Sequence, residues 1–154
     1  MNDLAVQAAA REPATALRPA SSPGAGPAAA AMLDRFATEH PVLATLPARE
    51  RLLAAAWLTS YRSARTRRAY AGDLAAWLDW LHGIDVDVLH ARRVHVDLWV
   101  RQLLDAGAAG SSTSRRLSAL SSFYRHLGEH DLIAANPAAA VRRPTVDPDH
   151  NRNA

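Results

Sequence analysis

The stretch SSTSRRLSALSSFYRHL, Ser111 to Leu127, decides the fold. After a polar start at Ser111 to Ser114, Leu117, Leu120, Tyr124 and Leu127 recur at three- and four-residue steps, and Phe123 widens the stripe. That period is the signature of a helix with one apolar side, so the stretch predicts an amphipathic α-helix packed on a core. On a 3.6-residue wheel the opposite side carries Arg115, Ser118, Ala119, Ser122 and His126, a strong cation among side chains small enough for close approach to another surface. Such a face suits a DNA groove; it equally suits a solvated helix side with an ordinary N-cap.

The flanking sequence repeats the helical pattern. Upstream, Val96, Trp99, Val100, Leu103 and Leu104 follow the i, i+3, i+4, i+7, i+8 spacing of a helix that Gly107 and Gly110 stop. Before it, Gly83 to Val94 reads as a linker too short for a sheet. Ser63 is the expected N-cap of a helix reaching about His82, with Tyr70, Leu74, Trp77, Leu78 and Leu81 as core stripe and Arg65, Arg68, Gly72 and Ala76 on the other side. Its arginines cluster in the first turns, where the helix dipole prefers acids. Another helix, from Leu46 to about Tyr61, has Leu52, Leu53, Ala56 and Trp57 as its expected apolar face. Downstream, Gly128 to Ile133 is a turn, and Asn136-Pro137 opens a short last helix, Ala138 to Arg142, that Arg143-Pro144 ends. No strand or repeat competes, so the fold class is all-α, a four- to five-helix bundle.

Residues 1–45, rich in Ala, Pro, Gly and Ser, bury too little apolar surface to offset their chain entropy. They are expected to form a disordered or weakly helical leader, with a helical turn at Met32 to Phe36. The domain is placed at 46–144, and 145–154 is a polar, mobile tail. Of the four tryptophans, Trp57, Trp77 and Trp99 lie on core stripes; Trp80 does not, and is assigned to a contact with the leader or with a further domain.

The chain of 154 residues has no cysteine, so neither a disulfide framework nor a thiolate metal site is available, which fits a reducing cytoplasm. No apolar run approaches the roughly 18 residues that span a bilayer, and no basic segment leads into an apolar signal. All 18 cations are arginine. That usage, with abundant alanine, looks like coding bias; between Leu46 and Val146 they number 14 against 9 acids, several in pairs.

Four segments in this order resemble a known family: SARTRRAYAGDLAAWLDWL (63–81), VHVDLWVRQLLDAG (94–107), SSTSRRLSALSSFYRHL (111–127) and DLIAANPAAAVRRP (131–144). They are similar to the core-binding, SAM-like N-terminal domain of tyrosine recombinases, the phage-integrase and Xer-type enzymes. The resemblance implies a compact helical bundle that clamps one side of a recombination site while a second domain cuts the strand. It implies double-stranded DNA as partner, with other recombinase subunits beside it. By similarity, the starts of the helices at 63 and 112 face the duplex. Candidate contacts are therefore Arg65, Thr66, Arg68, Ser112, Thr113, Arg115 and Arg116, with Arg142 and Arg143 as linker contacts.

Arginines and hydroxyls at helix starts bind phosphate oxygens. Arg115 is further expected to offer both prongs to guanine N7 and O6, so that Arg115→Ala weakens duplex binding without lowering the melting temperature. Arg116, on the shoulder of the apolar stripe, equally suits bracing a neighbouring helix, and Thr113 equally suits a cap. Tyr70 and Tyr124 fall on core stripes. The family's catalysis needs a tyrosine nucleophile with arginines, a lysine and histidines; Tyr61, Tyr70 and Tyr124 lack that context and the chain has no lysine. No catalytic residue, cofactor, metal or small-molecule substrate is therefore expected, and the chain reads either as part of a recombinase or as a free-standing DNA binder. Two alternatives compete. One is a helical protein-interaction module without DNA binding. The other takes His126-Leu127-Gly128-Glu129-His130 as an H-x-x-E-H zinc pattern, its third ligand drawn from Asp131, Asp147, Asp149 or His150.

Overall fold

A computed structural model describes residues 25–144. Five helices make up this part: α1 (Ala25–Glu39), α2 (Ala48–Thr59), α3 (Ala64–Gly83), α4 (Arg93–Asp105) and α5 (Gly110–Glu129). Short 3-10 turns at Pro41–Thr45 and Val88–His90 join α1 to α2 and α3 to α4, and among the described residues there is no strand. The all-α bundle expected from periodicity is the fold. No described helix is long and apolar enough to cross a membrane.

Helix α5 supplies the centre. Leu117, Leu120, Phe123, Tyr124 and Leu127 are all buried, as their spacing requires. Against them stand Leu74, Trp77, Leu78 and Leu81 of α3, also buried. The Trp77 indole donates from Nε1 to Tyr124 Oη (2.9 Å), and Tyr124 Oη donates on to the Val88 carbonyl (2.8 Å), tying α3, α5 and the Val88–His90 turn together. Burial pushes the Tyr124 phenol far above its ordinary range, so it remains a donor. Trp99 of α4 meets Trp77 edge-on at 5.1 Å.

Helix ends follow local chemistry. Ser63 caps α3, its hydroxyl accepting from the Thr66 amide. Gly107, at φ 88°, closes α4 in the left-handed region, and the Ala108 amide returns to the Leu103 carbonyl (3.0 Å). Gly110 is not part of that stop; it is the first residue of α5.

Several expectations need correction. The leader predicted over 1–45 folds from Ala25: α1 buries Ala29, Met32 and Leu33, and the following turn buries Val42 and Leu43. Residues 1–24 and the predicted tail 145–154 lie outside the described residues. Because α1 covers one side of α2 and the bundle the other, the buried apolar positions of α2 are Ala54, Ala55, Trp57 and Leu58, while Leu52 is 57% exposed. Leu104 of α4 is exposed too. The last helix at Ala138–Arg142 does not form. Asn136 Oδ1 instead accepts the Ala138 amide (2.9 Å) and makes a side-chain turn. Within the described residues Trp80 stacks on Trp77 and donates to Gln102 Oε1 of α4 (2.6 Å).

Candidate nucleic-acid interface

The centre of the candidate site is an acid, Asp73 of α3, only 4% exposed. Arg115 of α5 grips it with both prongs, Nε to Oδ2 at 3.1 Å and Nη2 to Oδ1 at 2.8 Å. Arg116 Nε lies 3.8 Å from the same Oδ1, is enclosed, and has no hydrogen-bond partner. One carboxylate thus faces two guanidinium groups. Arg143, from the segment after α5, donates from Nη1 to the Ser118 hydroxyl (2.6 Å) and the Ser114 carbonyl (3.2 Å). The Tyr70 phenol is pushed up mainly by burial, then by Tyr61 and Asp73, while Arg115 and Arg143 pull it back.

This geometry changes the roles expected of several residues. Arg115 has Nε and Nη2 committed to Asp73, so it does not hold a free fork for guanine; its Nη1 edge makes no bond within the described residues. A guanidinium held that way suits a phosphate oxygen better than a base edge. Thr113 is fully buried, and its hydroxyl donates to the Ala109 carbonyl (3.1 Å), which takes it off the surface. It is no cap either, since α5 starts after Ala109.

The small side of α5 is no open face. Ala119 is buried, and buried Ser122 accepts from Trp57 Nε1 (3.0 Å) and hydrogen-bonds Tyr61 Oη. Asn136 Nδ2 donates to the Ser121 carbonyl (2.9 Å), so the segment 136–143 runs back along α5 from Ser121 to Ser114. Small residues there admit the chain's own exit segment.

Arg65 is exposed in the first turn of α3, with Thr66 half-buried beside it on the side of Asp73. Arg68 turns the other way and lines a groove against α1. Ser112 is half-buried in the first turn of α5, and Arg142 is exposed in the exit segment. Arg115, Arg116 and Arg143 are therefore brought together, Arg65 flanks them, and Arg68 stands apart.

Sequence reasoning missed Asp73. An acid lying between Tyr70 and Trp77 on the inward side of α3 was the available signal, because a carboxylate at a core edge needs a cation.

Of the third ligands the zinc pattern calls on, Asp147, Asp149 and His150 lie outside the described residues. The rings of His126 and His130 are 4.7 Å apart, but among the described residues no three His, Asp or Glu side chains gather into a metal-holding group. His126 Nε2 is enclosed without a partner. Burial first, and His130 next, push the His126 imidazole below its ordinary value, while Glu129 pulls it back. A histidine whose charged form is disfavoured by the fold takes up a proton more readily on unfolding. Its contribution to stability is full above about pH 6.5 and is lost as pH falls below that value. The melting temperature of His126→Gln should accordingly drop less than that of the wild type between about pH 7.5 and pH 5.5, read by thermal circular dichroism.

The class this bundle belongs to follows from comparison. The family model described as the phage integrase N-terminal SAM-like domain matches residues 50–130, just over half of the chain, and the chain belongs to that family. It is similar to tyrosine recombinase XerD of Pseudomonas putida, 33% identical over 110 residues, which are 71% of this chain and 35% of that protein. It is also similar to tyrosine recombinase XerC of Xanthomonas campestris pv. campestris, 38% identical over 102 residues, 66% of this chain and 32% of that protein. The same holds for tyrosine recombinase XerD of Chlorobaculum tepidum, 33% identical over 84 residues, 54% of this chain and 28% of that protein. The chain spans about a third of the length of these curated relatives. No solved structure matches it significantly.

Proposed function

We propose that this domain binds the duplex of a recombination site and serves as the DNA-clamping part of a tyrosine recombinase, strand cleavage being carried out by residues outside the described bundle. The observation that carries this reading is the arginine group at the junction of α3, α5 and the exit segment. Arg115 and Arg116 face one buried carboxylate, Arg143 is held against α5 by Ser114 and Ser118, and Arg65 and Arg142 are exposed. An excess of cations held by hydrogen bonds needs no reordering to meet phosphates. Tyr61, Tyr70 and Tyr124 are packed in the aromatic core or bonded there, which argues against a nucleophile among them.

Contacts with about five phosphates, through Arg65, Arg68, Arg115, Arg142 and Arg143, give log K falling against log salt with a slope near −4.5. A single clamp without sequence readout binds at micromolar Kd or weaker at physiological salt. Fluorescence anisotropy with a labelled duplex across a salt series tests this. No binding at about 50 mM salt, or binding insensitive to salt, refutes it. A second reading, contact with another recombinase subunit, draws on α4, where Val94 and Leu98 stand more than half exposed on one side of the helix.

A further inference from the structure

Helix α1 lies before the stretch that the family model matches, and it brings an arginine of its own to the start of α3. Between the two helices is a groove of about 310 Å³. Met32, Phe36 and Ala64 give it an apolar floor, and Arg35, Arg67, Arg68 and Glu39 form its rim. Three guanidinium groups thus face one carboxylate.

The three arginines are held differently. Arg67 is fixed, its Nη1 donating to the Tyr61 carbonyl (2.6 Å) and the Arg62 carbonyl (2.8 Å) in the connection between α2 and α3. Among the described residues, neither Arg35 nor Arg68 has an acid within ion-pair distance, Glu39 included, and neither makes a side-chain hydrogen bond. This differs from Arg93 and Arg101, each of which pairs with an aspartate one turn along its own helix. Like charges over an apolar floor repel more strongly than in open water, and an anion seated among them relieves that cost.

We propose that this groove is a phosphate seat, in which Arg35 of α1 and Arg68 of α3 take the oxygens of one backbone phosphodiester of the bound duplex, with Arg67 as a fixed positive neighbour. The proposal rests on the clamp reading above and extends it. Arg65, one residue from Thr66 on the Asp73 side, stands between this groove and the Arg115 group on the α3 wheel. A backbone crossing the first turns of α3 therefore meets both. The segment before the family region thereby adds to the contact one cation, Arg35, that α3 and α5 do not supply.

The test uses the full chain, a labelled duplex and three variants, Arg35→Ala, Arg35→Glu and Arg143→Ala, each with its fold checked by circular dichroism. Removing one phosphate contact lowers the salt slope by about 0.9, so the fall in affinity between about 50 and 200 mM salt shrinks roughly 3.5-fold for Arg35→Ala. Arg35→Glu is expected to weaken binding further. If the wild type binds and Arg143→Ala changes the slope while both Arg35 variants keep the wild-type slope, the seat is refuted and the clamp stands. If the wild type does not bind duplex, the clamp reading itself falls and the seat with it. Inorganic phosphate titrated in the absence of DNA separates the other source of the same chemistry. Shifts of the Arg35 and Arg68 side-chain NMR signals with phosphate, without any slope change on DNA, assign the groove to free phosphate and overturn the duplex proposal.

Discussion

Replacing Asp73 by alanine is expected to cost about 3 kcal/mol of stability, read as a loss of roughly 10 °C or more in melting temperature. Asp73 is buried and accepts two charge-assisted hydrogen bonds from Arg115 across 42 positions of sequence. Without it, Arg115 and the enclosed Nε of Arg116 face each other with no anion between them. Arg115→Ala should cost less, because Arg116 remains 3.8 Å from the carboxylate. The double variant Asp73→Ala/Arg115→Ala should fall short of the sum of the two singles, since the second change then breaks no pair. Additive losses in a chemical-denaturation cycle would remove Asp73 from the role given to it. This overturns the expectation that Arg115→Ala leaves the melting temperature unchanged: that arginine joins α3 to α5, and its loss should lower both stability and duplex affinity.

Trp77→Ala is the second large effect, about 3–5 kcal/mol. Trp77 is fully buried, stacks on Trp80, meets Trp99 edge-on and donates to Tyr124. Truncation opens a cavity where three helices meet and deprives Tyr124 Oη of its donor. Trp77→Phe keeps a ring but loses that hydrogen bond and part of the volume, and should cost about half as much. Equal losses for Ala and Phe would show that the hydrogen bond, rather than the packed volume, is what Trp77 contributes.

Two of the corrections share a physical origin. In α3 and α5 the large apolar side chains lie on one side, and the period of Leu74, Trp77, Leu78 and Leu81, or of Leu117, Leu120, Tyr124 and Leu127, named that part of the core. In α2 two sides are buried, because α1 lies against one of them, so its stripe misled at Leu52 and Ala56, which are exposed, while Leu53 and Trp57 do pack on the core. The leader misled for the same reason. Its Ala-rich helix has few large apolar groups, and only its contact with α2 makes Met32 and Leu33 core residues.

The candidate site divides along a similar line. Arg65, Arg68, Arg115, Arg116, Arg142 and Arg143 were legible as cations at helix starts and at the exit, yet nothing in their spacing shows that Asp73 occupies the fork of Arg115 or that Ser118 holds Arg143. Ser118, Ala119 and Ser122 read as a small face for close approach, and what approaches is the chain's own segment at Ser118 and the Trp57–Tyr61 cluster at Ser122.

The sequence by itself determined the all-α class, the positions of α2 to α5, the Ser63 cap and the family, because periodicity and capping are local to a dozen residues. Only the tertiary structure decided which arginines are tied to an acid, which stay exposed, and that α1 adds one of its own. Those outcomes depend on how helices cross, and a helix's sequence records which side is apolar but not which neighbour lies against it.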